Sequence, residues 1–279
     1  MRNKTSLQLD HGFTLTEMAM VLVIVALLIG GLAVPLSAQQ DNRNRADTDK
    51  ALSDIREALI GFAVINGRLP CPAQASIASG TANAGLEATT GTGASLSCAC
   101  TDTVSDNGTS QYNSGNPCHL DTSNATVFES ASVGGVLPWA TLGLPELDAW
   151  GQRYSYRVST AFARGNTGQT YFGNCSPTSS PSNSAFALCS SGAMKVMSAS
   201  SGGATTASGI PALVVSHGKN GAGAYLSTGT QSSATGDSNE QENYNGDATY
   251  VANTTIDDML TWVPSNILMN RMLSAGKLP

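Results

Sequence analysis

Glu17 is the first residue in the chain whose surroundings set up chemistry. No charged residue occurs between Glu17 and Asp41, and the run Met18 to Leu36 is apolar. A run of that length matches a membrane-spanning helix, about 20 residues for a ~30 Å hydrocarbon core. An unpaired acid at the centre of such a helix costs about 2.5 to 3.5 kcal/mol, so Glu17 calls for a cationic partner. A second group of candidate ligands lies in the acidic segment from Asp237 to Asp247. There Asp237, Asn239, Glu240, Glu242 and Asp247 offer the hard oxygen donors that calcium takes, about 6 to 8 in number. The spacing is not that of an EF-hand, and a solvated acidic loop is the competing reading.

The third group is the six cysteines, Cys71, Cys98, Cys100, Cys118, Cys175 and Cys189, all beyond the apolar run. Cys98-x-Cys100 with Cys118-His119 could hold zinc through three thiolates and an imidazole, but the spacing is loose. An even cysteine count in an exported segment reads as disulfides. Six cysteines allow 15 pairings. The expectation is that Cys175 joins Cys189 across a short loop, that Cys118 joins Cys98 or Cys100, and that Cys71 takes the other. Hydrolytic chemistry would need His119 or His217 to meet an activated serine. No Gly-x-Ser-x-Gly and no His-Glu-x-x-His selects one, so the chain does not read as an enzyme. The segment Ser216-His217-Gly218-Lys219-Asn220-Gly221-Ala222-Gly223 lacks the order of a phosphate loop and reads as a Gly-rich hairpin turn.

The residues Gly12-Phe13-Thr14-Leu15-Thr16-Glu17, behind the basic leader of Arg2 and Lys4 and ahead of the apolar stem, resemble the signal of the type IV pilins and the pseudopilins of type II secretion. The resemblance implies cleavage after Gly12 by a prepilin peptidase on the cytoplasmic side. It implies methylation of the new amino terminus on Phe13, and it makes Glu17 the fifth residue of the mature chain. The ammonium at Phe13 and a Glu17 carboxylate from a neighbouring subunit would then pair in low dielectric and fix one assembly register. Thr16 departs from the larger aliphatic residue usual there. Major pseudopilins bind calcium in a loop late in the head, which favours calcium for the acidic segment. The stretch Asp148-x-Trp150-Gly151-x-x-Tyr154-x-Tyr156 also resembles the first sheet strand of the pseudopilins. Elsewhere the likeness is loose.

These residues need elements to hold them. Residues 1–12 form a short leader with no apolar region of its own. Residues 13–66 read as one long helix, membrane-spanning to about residue 36 and interrupted at Gly30, Gly31 and Pro35. Its second half is amphipathic. Leu52, Ile55, Leu59 and Phe62 recur at helical spacing, with Asp49, Lys50, Asp54, Arg56 and Glu57 elsewhere on its surface. Residues 67–279 form the head. From 73 to about 131 it is rich in small polar residues and reads as a long decorated loop region. Val133–Leu144 reads as buried. Tyr154, Tyr156 and Val158 alternate with Arg153, Ser155 and Arg157, which predicts a half-buried strand. Further strands are expected at Thr170–Phe172, Ala185–Leu188, Met194–Met197, Ala212–Ser216, Ala224–Ser227 and Thr249–Ala252. Helical pieces are expected at Ile256–Val263 and Pro264–Ala275.

Composition agrees with an exported surface. Charged residues are 12% of the 279, hydrophobic residues are 41%, and the net charge of −6 argues against a head that grips nucleic acid. Arg2 and Lys4 ahead of the stem place the amino terminus in the cytoplasm and the head in the periplasm. The expected fold is α+β, a long N-terminal helix packed on an antiparallel sheet head with disulfide-pinned loops. The expected role is that of a minor pseudopilin or minor pilin in a type II secretion pseudopilus or type IV pilus. Its expected partners are the prepilin peptidase, other pilins or pseudopilins through the N-terminal helix, the inner-membrane assembly platform and membrane lipid. The alternative is a membrane-anchored adhesion or ligand-binding module at a pilus tip.

Overall fold

The computed structural model of the chain describes residues 14–92, 96–99, 102–104, 119–121, 132–165 and 184–278. At 29–36, 102–104 and 119–121 only the backbone is described. The chain divides into two compact units, Met1–Asn44 and Arg45–Pro279. Helix α1 (Leu15–Asn66) contributes to both. In the first unit, Leu15, Met18, Met20 and every apolar residue from Val21 to Val25 are exposed, as are Leu27 and Leu28. Consecutive exposed apolar residues leave no polar face on this part of the helix. Among the described residues no helix is long and apolar enough to cross a membrane. The apolar run continues through 29–36, where side chains lie outside the described residues. The helix runs on through Gly30, Gly31 and Pro35.

In the second unit, α1 is one-faced. Leu52, Ile55, Leu59, Ile60 and Ala63 are buried, while Asp49, Lys50, Asp54 and Glu57 are exposed. That is the 3.6-residue stripe of a helix laid on a core, and each buried Leu or Ile contributes about 1.5 to 3 kcal/mol. Phe62 is only half-buried, and Ile60 and Ala63 complete the stripe in its place. The helix stops at Gly67, whose φ of 71° is open to glycine without strain and whose N–H caps the Ala63 carbonyl at 2.8 Å.

The head then follows in short elements. β1 (Thr89–Thr90) and β2 (Ser97–Cys98) form an antiparallel ribbon. After them come β3 (Asp102–Val104), β4 (His119–Asp121), β5 (Ser132–Val136), α2 (Trp139–Leu142), β6 (Ser155–Ser159) and α3 (Thr160–Ala163). The last part holds β7 (Met194–Met197), β8 (Thr205–Ile210), β9 (Ala212–Ser216), α4 (Ser238–Glu242), β10 (Thr249–Val251), β11 (Met259–Val263) and α5 (Ser265–Ser274). The main sheet has the order β11-β9-β6-β5-β4-β3, antiparallel except between β3 and β4. A smaller sheet has the order β10-β7-β8, with β10 parallel to β7. The fold is α+β.

Alternation along β9 explains the layering. Ala212 and Val214 join the core made by α1, α5, Tyr154, Tyr156 and Val158. Leu213 and Val215 point the other way, into a second core with Met194, Val196, Ile210 and Tyr250 of the small sheet. The main sheet is therefore covered on both faces here, and all five β9 residues are buried.

This covering corrects the reading of β6. Tyr154, Tyr156 and Val158 do face the first core, but Arg153 and Arg157 are not on a solvated face: they are 0% and 1% exposed. Arg157 donates to the Tyr250 hydroxyl at 2.9 Å, the Ser132 hydroxyl at 3.1 Å and the Gly246 carbonyl at 2.6 Å. Its guanidinium lies over Gly134, where a Cβ would come within 2.7 Å of Nη2. Arg153 pairs with Glu146 at 2.7 Å, donates to the Ala75 and Ser227 carbonyls, and stacks 4.7 Å from the Trp139 ring. Both arginines are buried because each has its donors satisfied by loop carbonyls and hydroxyls.

Other expectations also shift. Met259–Val263 is a strand and not part of a helix, because it pairs with β9 along its whole length. Ala185–Leu188 and Ala224–Ser227 form turns and isolated bridges and no regular strand, whereas Thr205–Ile210, not among the expected strands, is β8. The loop region from 73 contains β1 to β4, two of which extend the main sheet. Val133–Trp139 is buried, whereas Ala140 and Gly143 are exposed and Thr141, Leu142 and Leu144 are half-buried. Thr170–Phe172 lies outside the described residues.

Of the two partners open to Cys71, the fold uses Cys98, with the Cα atoms 5.3 Å apart and a sequence separation of 27. The bond ties the segment after α1 to β2. It also removes Cys98 from any zinc site, since a disulfide sulfur is no thiolate ligand. Cys189 is disulfide-bonded as well. Cys100, Cys118 and Cys175 lie outside the described residues.

Candidate functional site

Two places hold carboxylates in helix caps. The first is the start of α1. Glu17 Oε2 accepts from the Thr14 backbone N–H and from the Thr14 hydroxyl, each at 2.8 Å, while the Glu17 N–H reaches Thr14 Oγ1 at 3.3 Å. This reciprocal pair is a capping box: Thr14-Leu15-Thr16-Glu17 satisfies two of the orphan donors at the helix start. The sequence contained that signal, a Thr three residues before a Glu, beside the stronger signal of a charge in an apolar run. Gly12 and Phe13 lie outside the described residues.

The second place is built from three separate segments. β9 and β11 are in register with Ser216 opposite Met259, so one step further the antiparallel ladder brings His217 beside Asp258. The turn that follows is held by Gly218, with φ of 59° and no room for a Cβ beside the Asp257 carbonyl. From this turn the Asn220 backbone N–H donates to Asp257 Oδ2 and the Asn220 side chain to Glu240 Oε1, both at 2.8 Å. Helix α4 supplies Glu240. Its N-cap, Asp237, accepts from the N–H groups of Asn239 and Glu240, and Glu240 Oε2 accepts from the Asp237 N–H at 2.9 Å. That capping box turns the Glu240 carboxylate inward.

One ligand oxygen from each of Glu240, Asp257 and Asp258 lies within 4.8 Å of the others. Asn243 holds the rear of the cluster, donating to Asp258 Oδ2 at 2.7 Å and to the Val251 carbonyl at 3.0 Å. Asp257 Oδ1, Asp258 Oδ1 and His217 Nδ1 are buried with no hydrogen-bond partner. His217 Nδ1 faces Asp258 Oδ1 at 3.9 Å, and its other nitrogen, Nε2, is 2.7 Å from the Ser155 hydroxyl. Burial, with the neighbouring charges of Glu240 and Asp257 behind it, pushes the Asp258 carboxyl up to about 8 against the pull of the Asn243 hydrogen bond. Glu240 is raised chiefly by burial and then by Asp257. Burial brings His217 down to about 4, so its ring is neutral at physiological pH.

The same region contains the expected first strand motif. Asp148 Oδ1 accepts from the N–H groups of Trp150 and Gln152, and Oδ2 accepts from the Ser216 hydroxyl at 2.6 Å. Gly151, at φ 85°, completes the turn that leads into β6. The Asp-x-Trp-Gly pattern is therefore a turn clasped to the end of β9.

Of the five acidic-segment residues, only Glu240 reaches the cluster. Asp237 is spent on its cap. The Asn239 carbonyl accepts from Ser200, Glu242 from the Asn245 amide, and Asp247 from the Thr249 N–H. The sequence reading missed Asp257 and Asp258, whose only local sign is an acidic pair just ahead of an apolar stretch. It also left open which serine His217 would meet. Ser155 is that serine, but the ring of His217 is 0% exposed and 3.9 Å separates it from Asp258, so the three do not form a working relay to a substrate. His119 belongs to β4.

Residues 8–33 match the model of the prokaryotic N-terminal methylation motif. No curated protein and no solved structure matches the chain. The match runs from residue 8 into α1 as far as residue 33. It carries a prepilin-type signal of the type IV pilin and pseudopilin kind, which is cut by a prepilin peptidase and methylated at the new amino terminus. Such a signal marks a structural subunit that assembles with other pilins.

Proposed function

We propose, from the prepilin-type signal, that this chain is a minor pseudopilin or minor pilin. It is anchored in the inner membrane by the apolar part of α1, with the leader in the cytoplasm and the head in the periplasm. Residues 1–12 are removed, Phe13 becomes the methylated first residue, α1 joins a helical bundle in a filament, and residues 67–279 face outward. The inner-membrane assembly platform extracts it from lipid. The observation that carries this reading is Glu17 at the head of an exposed, all-apolar helix that begins inside the matched motif. Exposed apolar surface on every side of a helix needs lipid or other helices.

In this reading Glu17 changes partner. In the free subunit it caps its own helix through Thr14. In the filament it pairs with the ammonium of a neighbouring Phe13, which lies close in low dielectric and sets the register. Glu17→Gln separates the two roles, since glutamine serves in a capping box but carries no charge. The expected result is normal cleavage with lost filament incorporation. Incorporation at the level of the native chain would show that capping alone suffices and would remove the ion pair from the account. A deletion strain scored for exoprotein release and for surface pili then assigns the machine. Lost release with intact pili means a secretion pseudopilin, and lost pili with normal release means a pilus subunit.

A further inference from the structure

We infer that the outer edge of β11, with the groove between it and α1, is a docking site for an extended segment of a different protein, which joins the main sheet as an added strand.

β11 ends the strand order of the main sheet and so pairs on one side only. Unpaired strand edges are normally blunted by shortness, charge, proline, a bulge or a cover. The other edges among the described residues follow that rule. β1 and β2 have two residues each, β3 and β10 have three, and β8 is irregular in register against β7. β11 departs from it. Met259-Leu260-Thr261-Trp262-Val263 is uncharged and free of proline, and it holds an unbroken register of five residues with β9. Beyond that ladder its backbone groups make no hydrogen bond among the described residues. Its first four residues are only half-buried, so the edge is open.

Beside this edge runs a groove of about 400 Å³. Leu260, Thr261 and Trp262 line one wall, and Leu52 of α1 lies across from them. The α1 wall also presents Asp49, Ser53 and Arg56, and none of these three side chains has a hydrogen bond or ion pair among the described residues. Asp49 and Arg56 are two helical turns apart, about 10.5 Å along α1. The groove therefore carries an unpaired negative charge and an unpaired positive charge at separate points along its length.

These features choose the occupant. A regular, unpaired backbone edge calls for a second extended backbone, the way strand addition binds peptides. Met259 and Val263 pack into the core under α1, whereas Leu260 and Trp262 pack into the second core. By alternation, residues of the added strand on one face meet α1 and those on the other face continue the row of Leu260 and Trp262. The α1 face calls for a basic side chain near Asp49, an acidic one near Arg56 and a small residue between them over Leu52. The opposite face calls for apolar residues. A second copy does not meet these demands. Two β11 strands paired antiparallel would turn their α1 helices in opposite directions, and stems held in one membrane run the same way. That exclusion rests on the anchoring proposed above, whereas the open edge and the charged groove do not.

The test titrates the full chain in detergent with the synthetic peptide acetyl-Val-Lys-Val-Ala-Val-Glu-Val-amide. A second peptide has the same side chains but a backbone N-methylated on the valines, and a third is N-methylated on the other three residues. The expected result is saturable binding of one peptide per chain, with a change in fluorescence that Trp262→Phe removes. An isotope-labelled carbonyl in the peptide is expected to move to the infrared frequency of a sheet. At least one of the methylated peptides is expected to bind about tenfold more weakly or worse, since a strand donates to its neighbour from alternate residues. Ser53→Trp fills the groove from an exposed helix position, and Asp49→Lys reverses one of its charges. Each is expected to weaken binding by about tenfold or more and to leave the melting temperature unchanged. In the native host, a photo-crosslinker in place of Ser53 is expected to join an extended segment of a different protein with the alternation described. Absence of saturable binding, equal binding of all three peptides, unchanged affinity in both variants, or a crosslink to another copy of this chain alone would each overturn the proposal. Peptide binding needs neither cleavage nor filament assembly, so its failure is distinct from failure of the proposed function.

Discussion

The start of α1 and the Glu240–Asp257–Asp258 cluster both set carboxylates in unusual surroundings, by opposite means. Around Glu17 everything that matters is adjacent in sequence: Thr14 caps with it, the apolar residues follow it, and the matched motif spans residues 8–33. Its side chain is exposed, and its partner is expected on another subunit. Around Asp258 only Asp257 is adjacent in sequence, and the rest of the environment comes from distant segments. His217 comes from the turn after β9, Glu240 from α4 and Asn243 from the C-cap of α4. One carboxylate is organised for assembly and the other by the fold. Changes near the first are expected to leave the head's stability alone, and changes inside the head to leave processing alone.

Four changes test that separation. Glu17→Ala has the largest expected effect. Filament incorporation falls about tenfold or more, as loss of a buried charge pair would dictate, while the head's melting temperature stays where it was. A shift in that melting temperature would break the separation. Arg157→Met comes next. It leaves the Tyr250 hydroxyl, the Ser132 hydroxyl and the Gly246 carbonyl without their shared donor, and is expected to cost about 4 kcal/mol by urea denaturation. Cleavage of the leader is expected to continue, and an uncleaved Arg157→Met chain would tie the head to processing. Replacing Cys71 and Cys98 together by alanine removes a crosslink of sequence separation 27, with an expected loss of about 3 kcal/mol by urea denaturation. The smallest effect is expected from Asp237→Ala, about 1 kcal/mol for one lost N-cap, read in the same denaturation experiment.

The same contrast explains what was legible in the sequence. The signal, the long helix and its buried stripe at Leu52, Ile55 and Leu59 follow from local periodicity, and so do β7, β9 and α5. What failed was set at long range. Arg153 and Arg157 alternate with Tyr154 and Tyr156 as a solvated face would, and only the loops of Ala75 and Ser227 over Arg153 and the second sheet over Arg157 make that face an interior. Met259–Val263 carries a sequence that suits a helix start, with Thr255 and two aspartates ahead of it, yet its pairing with β9 makes it a strand. The acidic segment held the right donor types, but cap formation at Asp237 sends Glu240 inward and leaves the others on local contacts. Asp257 and Asp258 enter the cluster from fifteen or more residues away in sequence, by the register of β11 against β9.

The most direct test of the central claim is the mass and sequence of the amino terminus of the chain recovered from membranes of its native host. The account predicts a chain that begins at Phe13 with one methyl group on its α-nitrogen, and that appears only when the prepilin peptidase is present. A chain that begins at any other residue, or that begins at Phe13 without the peptidase, would contradict it.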